Sequence, residues 1–541
     1  MKLLIIIPAR GGSKEIPRKN LRLLNGKPLI YYAINTALNL KYSTDVYVSS
    51  EDNEILNIAS QLGSKTHKRD PSIANDITTL DPVIYDCYKY AKNIEGIEYE
   101  YIITLQPTSP LLKSSSLNTA ITKAIANSNI ETIISSKDNT HLSWRKEGDK
   151  FLPNYKKRVN RQYLTPTFTE TGGFFITKKD IITPNNRIGK NVELYVLSKG
   201  EEIDIDTYED WNICEYYLKR KHILFIVTGN NTVGLGHVYN TLLIANDILN
   251  HKITFLVDKN SQLAFNKILS KNYPVYIQKS DDIVNDIKKL SPDIIINDRL
   301  DTSSDYIKKL KRLNLKVINF EDLGTGVTHA DLVINAIYPE KQVLPHHYFG
   351  PDYFILRDEF IYSAQKKVSK KVKNILITFG GVDPNNYTKK VINSIYSYCH
   401  SNDISITVIT GFGYTDYDSL NEFKNITVLK NVPNISIYML DADLIFTSAG
   451  RTTYEIASVS TPAIVMAQNE RELTHFFANS EFGFLNLGLG KNLSNEELYQ
   501  NFIKLVESYE SRKYMNKLMK KIDLKSGRKT VRKLIQNLIE A

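Results

Sequence analysis

Three stretches of this chain concentrate residue types that do chemistry. Residues 3–20, LLIIIPARGGSKEIPRKN, run from an apolar segment into a turn through Gly11 and Gly12. Such a turn offers backbone N–H groups, and Arg10, Lys14, Arg18 and Lys19 add fixed positive charge, which is what a triphosphate requires. Asp204-Ile205-Asp206 spaces two carboxylates so that, on a strand, both point to one face and can grip one hard cation, with Mg2+ the obvious candidate. The competing reading is structural, with Asp206 capping the next helix. The third stretch, ILFIVTGNNTVGLGHVYNTLLIANDIL, reads as strand, glycine loop and helix, with His237 in the first helical turn. A helix N-terminus disfavours imidazolium, so the ring stays neutral and available as a general base.

Two further glycine turns, TFGGVDP at 378–384 and TSAGRTTYE at 447–455, each sit between a strand and a following helix. Turns of that kind bind diphosphates through backbone N–H groups and the helix dipole. The elements that must position all these loops are short apolar strands at 3–7, 45–50, 101–105, 132–136, 223–227, 293–298, 374–379, 406–410 and 443–448. Near-continuously apolar strands separated by helix-length segments predict an α/β protein with parallel sheets covered on both faces. The theme changes at the basic cluster Lys219–His222, and a weaker seam falls at KKVSKKVK, residues 366–373. These divide the chain into 1–220, 222–365 and 366–541.

Composition agrees with that division. At 541 residues the chain exceeds one ordinary core. Hydrophobic residues at 42% and charged residues at 24% give no case for disorder. No apolar run approaches the ~20 residues of a membrane span, and the opening segment reads as a strand. Cys87, Cys214 and Cys399 are widely spaced, which argues against a disulfide framework or a zinc site and suits a reducing cytoplasm. The net charge is +10, but the lysines are scattered without an aromatic-basic motif, so no nucleic-acid partner is expected. Anionic small molecules are an adequate use for that field.

The opening stretch, with NLRLLNGKPLIYYAI after it, resembles the signature of the acylneuraminate cytidylyltransferases, the CMP-sialic acid synthetases. The resemblance continues in order through VYVSSEDNEILNIA, KRDPSIANDITT, LQPTSPLL, RQYLTPTFTETGGFFIT and EIDIDTYEDW, covering residues 1 to about 220. It implies a Rossmann-like nucleotidyltransferase domain in which a sugar hydroxyl attacks the α-phosphorus of CTP, with Mg2+ at Asp204 and Asp206. By the same resemblance Arg10, Gly12, Ser13, Lys14 and Lys19 contact the nucleotide, and Lys19 with the two aspartates carries the chemistry. Asn20, Gln106, Ser109 and Arg161 contact a nonulosonic acid. A homodimer is implied too. Glu15 stands where the family usually has glycine.

The remainder resembles the two-lobed hydrolase that removes UDP from a 2,4-diacetamido trideoxy sugar in pseudaminic acid biosynthesis, similar in fold to GT-B glycosyltransferases. INDRLDTSSDY, INFEDLGTGVTHADLVIN and MAQNE carry the likeness, over residues 222 to about 515. It implies that His237 activates water, that Ser448, Gly450 and Thr452 hold the UDP phosphates, and that Glu455 binds the ribose or stabilises its helix. Asn240 replaces an arginine of the Gly-His-x-x-Arg pattern, and Arg451 stands where a second glycine is usual. A UDP-sugar glycosyltransferase and a catalytically silent sugar-nucleotide-binding domain remain the alternatives. The combined expectation is a bifunctional enzyme acting twice, at non-consecutive steps, in one pathway.

Overall fold

The computed structural model describes residues 2–75, 77–230, 233–340, 343–411 and 413–540. Asp76, Asn231 and Thr232 of the quoted motifs lie outside the described residues. The chain separates into two compact units, Met1–Arg220 and Lys221–Ala541. The three cysteines are buried and free. Among the described residues, no helix is long and apolar enough to cross a membrane.

The first unit is built on a seven-stranded sheet in the order Val192–Val196, Thr132–Asp138, Phe168–Lys178, Tyr101–Leu105, Leu3–Pro8, Thr44–Ser50, Lys65–Lys68. Leu3–Pro8 is buried along its whole length, because helices cover both faces of the sheet centre. It pairs in parallel with its two neighbours, Leu3 standing opposite both Thr44 and Tyr101. The sheet is parallel as expected except for one strand. Phe168–Lys178 runs antiparallel between Tyr101–Leu105 and Thr132–Asp138, with Phe174 opposite Leu105. The reversed strand therefore enters the sheet at the edge where the parallel strands leave it, and its glycines Gly172 and Gly173 meet Gln106 in the loop after Leu105.

The second unit contains two wholly parallel sheets. One has seven strands, with His222–Val227 between Lys252–Val257 and Ile294–Asp298. The other has six, with Asn374–Ile377 between Ser405–Thr410 and Leu444–Thr447. These are two α/β lobes, each with its glycine loops at the carboxyl ends of its strands, where open sheets of this kind place ligands. The seam drawn from the sequence is crossed in both directions: Phe360, on the helix Asp358–Ile361, joins the core of Leu376 and Ile445 in the second lobe. The last helix, Gly527–Glu540, was expected with the second lobe, yet Val531, Ile535 and Ile539 join the core of Ile223 and Phe225 in the first. Their spacing forms one apolar stripe. Arg528 anchors the helix start by donating to Asp247 at 2.7 Å, and Lys316 donates to the Leu538 carbonyl at 2.8 Å.

Candidate functional site

In the first unit, chain segments far apart in sequence converge at the sheet edge. Lys19, held on a short helical turn, donates from Nζ to the carbonyl of Ile205 at 2.7 Å and lies 3.5 Å from Asp206. Asn20 is buried and ties the loop together by donating to the Arg10 carbonyl at 2.9 Å. The Ile205 amide donates to the Thr108 carbonyl at 2.8 Å, which fastens the aspartate segment to the loop carrying Gln106 and Ser109. Gly172 closes the group: at φ +69° it lets the backbone pass where a Cβ would stand 3.2 Å from both Asp204 and Gln106.

The aspartate pair differs from its sequence reading in two ways. Residues 203–206 are neither strand nor helix, so the carboxylates do not share a strand face; Asp204 is largely buried, whereas Asp206 is exposed. Nor does Asp206 cap the helix Tyr208–Lys219. Thr207 does, in a reciprocal box with Asp210. Burial first, and then the charge of Asp206, hold the Asp204 carboxyl above the usual carboxylate range. Its Oδ1 is buried with no hydrogen-bond partner, the Thr108 hydroxyl beside it being outside hydrogen-bonding geometry. An orphaned hard oxygen next to a second carboxylate fits a divalent cation. Among the described residues no cluster of three or more metal-ligating side chains exists, so phosphate oxygens of a bound nucleotide would have to complete the shell.

The glycine loop after Pro8 is braced by acid. Glu51 accepts the Gly11 N–H at 2.6 Å and the Arg69 guanidinium at 2.7 Å, and Arg18 donates to Asp52 at 2.6 Å. The Gly11 amide is thus engaged within the fold, which leaves Gly12, exposed, as the turn's accessible glycine. Ser13 is half-buried, and Lys14 and Glu15 face solvent. Ser109 is buried with its hydroxyl unpartnered. Arg161 is not brought to this group by any described contact; it is exposed, 3.7 Å from Asp138.

In the second unit a cavity of about 510 Å³ is lined by both lobes. His237, second residue of the helix Gly236–Asp247, faces it. Its Nδ1 donates to Oδ1 of Asp298 at 2.5 Å, so the helix dipole is not the only charge beside the ring. That bond selects the tautomer whose Nε2 lone pair is free to take a proton. From the other lobe come Ser448, Gly450, Thr452 and Glu455, all on the cavity wall. Glu455 is held by Arg357, whose Nε donates to it at 2.7 Å.

Sequence reasoning missed several cavity groups. Asp298 was read only as the end of a strand. Glu321 is fully buried and pushed up to about 7 by burial and Asp298, against the opposing charge of Arg451. His475, lowered to about 4 by burial, donates from Nδ1 to the Ala449 carbonyl at 2.7 Å. The available signal was position: Asp298 and Glu321 end or follow apolar strands, where site residues gather.

The Cytidylyltransferase family matches residues 4–210. A pseudaminic acid cytidylyltransferase of Campylobacter jejuni is 31% identical over 236 residues, covering 41% of this chain and 98% of that protein. This chain belongs to the cytidylyltransferase family. An uncharacterized protein of Methanocaldococcus jannaschii is 33% identical over 314 residues, and the match spans 50% of this chain and 64% of that one. Another relative matches most of this cytidylyltransferase. It is the Helicobacter pylori pseudaminic acid cytidylyltransferase and UDP-2,4-diacetamido-2,4,6-trideoxy-beta-L-altropyranose hydrolase, 23% identical over 525 residues, or 93% of this chain and 94% of the relative. Among solved structures, a CMP:2-keto-3-deoxy-manno-octonic acid synthetase covers 40% of the chain and 98% of its own length, at 16% identity and a TM-score of 0.31. Acinetobacter baumannii MurG covers 59% and 99%, at 15% identity and a TM-score of 0.41.

Proposed function

We propose that the first unit transfers CMP from CTP to a nonulosonic acid with release of pyrophosphate, and that the second hydrolyses a UDP-diacetamido-trideoxy sugar to the free sugar and UDP. The observation that carries the pair of activities is the likeness, over 93% of the chain, to a relative named for both, set beside one candidate site in each unit.

In the first site, Arg10, Gly12, Ser13 and Lys14 hold the triphosphate, while Gln106, Ser109 and Asn20 line the sugar side. Arg161 serves the sugar carboxylate only if its segment moves inward. The sugar hydroxyl attacks the α-phosphorus, the bond to the pyrophosphate oxygen breaks, and Lys19 stabilises the charge that develops on the phosphate oxygens. Asp204 and Asp206 would hold Mg2+, which when bound supplies charge neutralisation at the phosphates. In the second site, Nε2 of His237 takes a proton from water as that water attacks the anomeric carbon; the bond from that carbon to the UDP oxygen breaks, and UDP leaves with the electron pair, held by the loop of Ser448, Gly450 and Thr452.

In this reading the protein is cytoplasmic and pairs through its first unit. The exposed side chains of Val192, Leu194 and Val196 on an edge strand support the pairing. The test is two assays on one preparation: pyrophosphate release with CTP and a panel of nonulosonic acids, and UDP release in water without an acceptor. Absence of the first from every acid overturns the transferase reading, and UDP release only with an acceptor replaces the hydrolase by a glycosyltransferase.

A further inference from the structure

The two positions at which the second unit departs from its family pattern meet in the cavity. Arg451, on the glycine loop of the second lobe, donates from Nη2 to Oδ1 of Asn240 at 2.9 Å. Asn240, 2% exposed on the first lobe's helix, passes the interaction on: its Nδ2 donates to Oδ2 of Asp298 at 2.7 Å. Oδ1 of that carboxylate takes the Nδ1–H of His237, so each Asp298 oxygen has its own donor. Asn240 uses its acceptor toward one neighbour and its donor toward the other, which fixes the orientation of its amide.

First-lobe groups hold the guanidinium in place. Arg451 lies 3.8 Å from Glu321, and its stem packs so closely on Gly236 that a Cβ there would stand 3.3 Å from Cδ. From its own lobe's core, the Phe354 ring lies under the guanidinium, 4.5 Å from Cζ to the ring centre.

We propose that Arg451 is a positioning residue that orients the Asp298–His237 pair through Asn240, so the lobe carrying the glycine loop also aligns the base on the opposite lobe. A carboxylate held by one donor can rotate about its Cβ–Cγ bond; pinning the second oxygen stops that rotation and aims Nε2. Approach of the lobes and alignment of the base are then one event, and water is activated only when the loop that holds the leaving group is in place. The inference rests on the hydrolase reading of this cavity. The competing role for Arg451 is direct binding of phosphate.

Arg451→Met keeps the stem and removes the donor. The expected result is a kcat for UDP release lowered by about 100-fold, with KM and UDP affinity unchanged. Asn240→Leu should lose as much, and the double variant no more than either alone. Guanidinium ion should restore part of the kcat of Arg451→Ala. Retained UDP binding reports that each variant is folded. A raised KM and weakened UDP binding with kcat unchanged would make Arg451 a phosphate ligand and overturn the proposal. The downfield proton resonance of the His237 Nδ1–H, identified by its loss in His237→Ala, separates the two readings. If wild-type protein releases no UDP, the hydrolase reading fails, and a shift of that resonance in Arg451→Met still supports the positioning role. An unshifted resonance removes it.

Discussion

Nδ1 of His237 lies 2.5 Å from Oδ1 of Asp298, a residue 61 positions away in the chain. The pairing arises because Ile294–Asp298 runs parallel to His222–Val227, placing the end of one strand beside the loop and helix that follow the other. Asp298 has no exposed surface, so its orientation belongs to the fold and not to solvent.

Asp298→Asn tests what that contact does. An amide presenting its NH2 group cannot accept the Nδ1–H and selects the wrong tautomer. UDP release should fall by up to about 10⁴-fold, with UDP binding retained, as measured by steady-state kinetics and calorimetry.

Asp204→Asn should abolish pyrophosphate release while stabilising the first unit. Burial raises the wild-type carboxyl in the folded state above its unfolded value, so ionisation opposes folding at neutral pH. Removing that charge should add about 1 kcal/mol at pH 7. The gain should fade as pH falls below the unfolded value, where wild-type Asp204 is protonated in both states. Thermal unfolding across pH reads this out, and a gain that grows toward acid would contradict it.

Gly172→Ala combines a left-handed backbone with a crowded Cβ. The substitution should cost about 1–2 kcal/mol and push Asp204 and Gln106 apart. Pyrophosphate release should fall more steeply than stability, checked by comparing initial rates at a temperature where the variant is fully folded.

Glu321→Gln concerns the pH dependence of the second unit. The wild-type carboxyl sits at about 7 in the folded protein against an ordinary 4.5, so the folded state binds its proton more tightly. Stability should therefore decline as pH rises through that window and level off above it. The glutamine variant should lose that slope and gain on the order of 2 kcal/mol at pH 8. Denaturant unfolding at pH 4.5 and pH 8 measures the difference.

Much of the architecture was legible along the chain, because a strand buried on both faces is written as a continuous apolar run and a phosphate-binding turn as glycines after it. LLIII, ILFIV and DLIFTS all appear as expected strands. The reversed strand Phe168–Lys178 was not legible, since strand direction leaves no mark on hydrophobic pattern. The last helix shows its apolar stripe in sequence but not which lobe receives it.

The candidate sites divide the same way. Arg10, Lys19, Asp204 and His237 announce themselves by type and neighbours, so the sequence alone pointed to a cytidylyltransferase domain and to two groups of candidate site residues. Only the tertiary structure decided their state: Asp204 largely buried and Asp206 exposed, the Gly11 amide taken by Glu51, and His237 paired with Asp298 and linked through Asn240 to Arg451. A side chain's type is local, whereas its solvation and hydrogen-bond partners come from segments that only the packing of the sheets brings within a few ångströms.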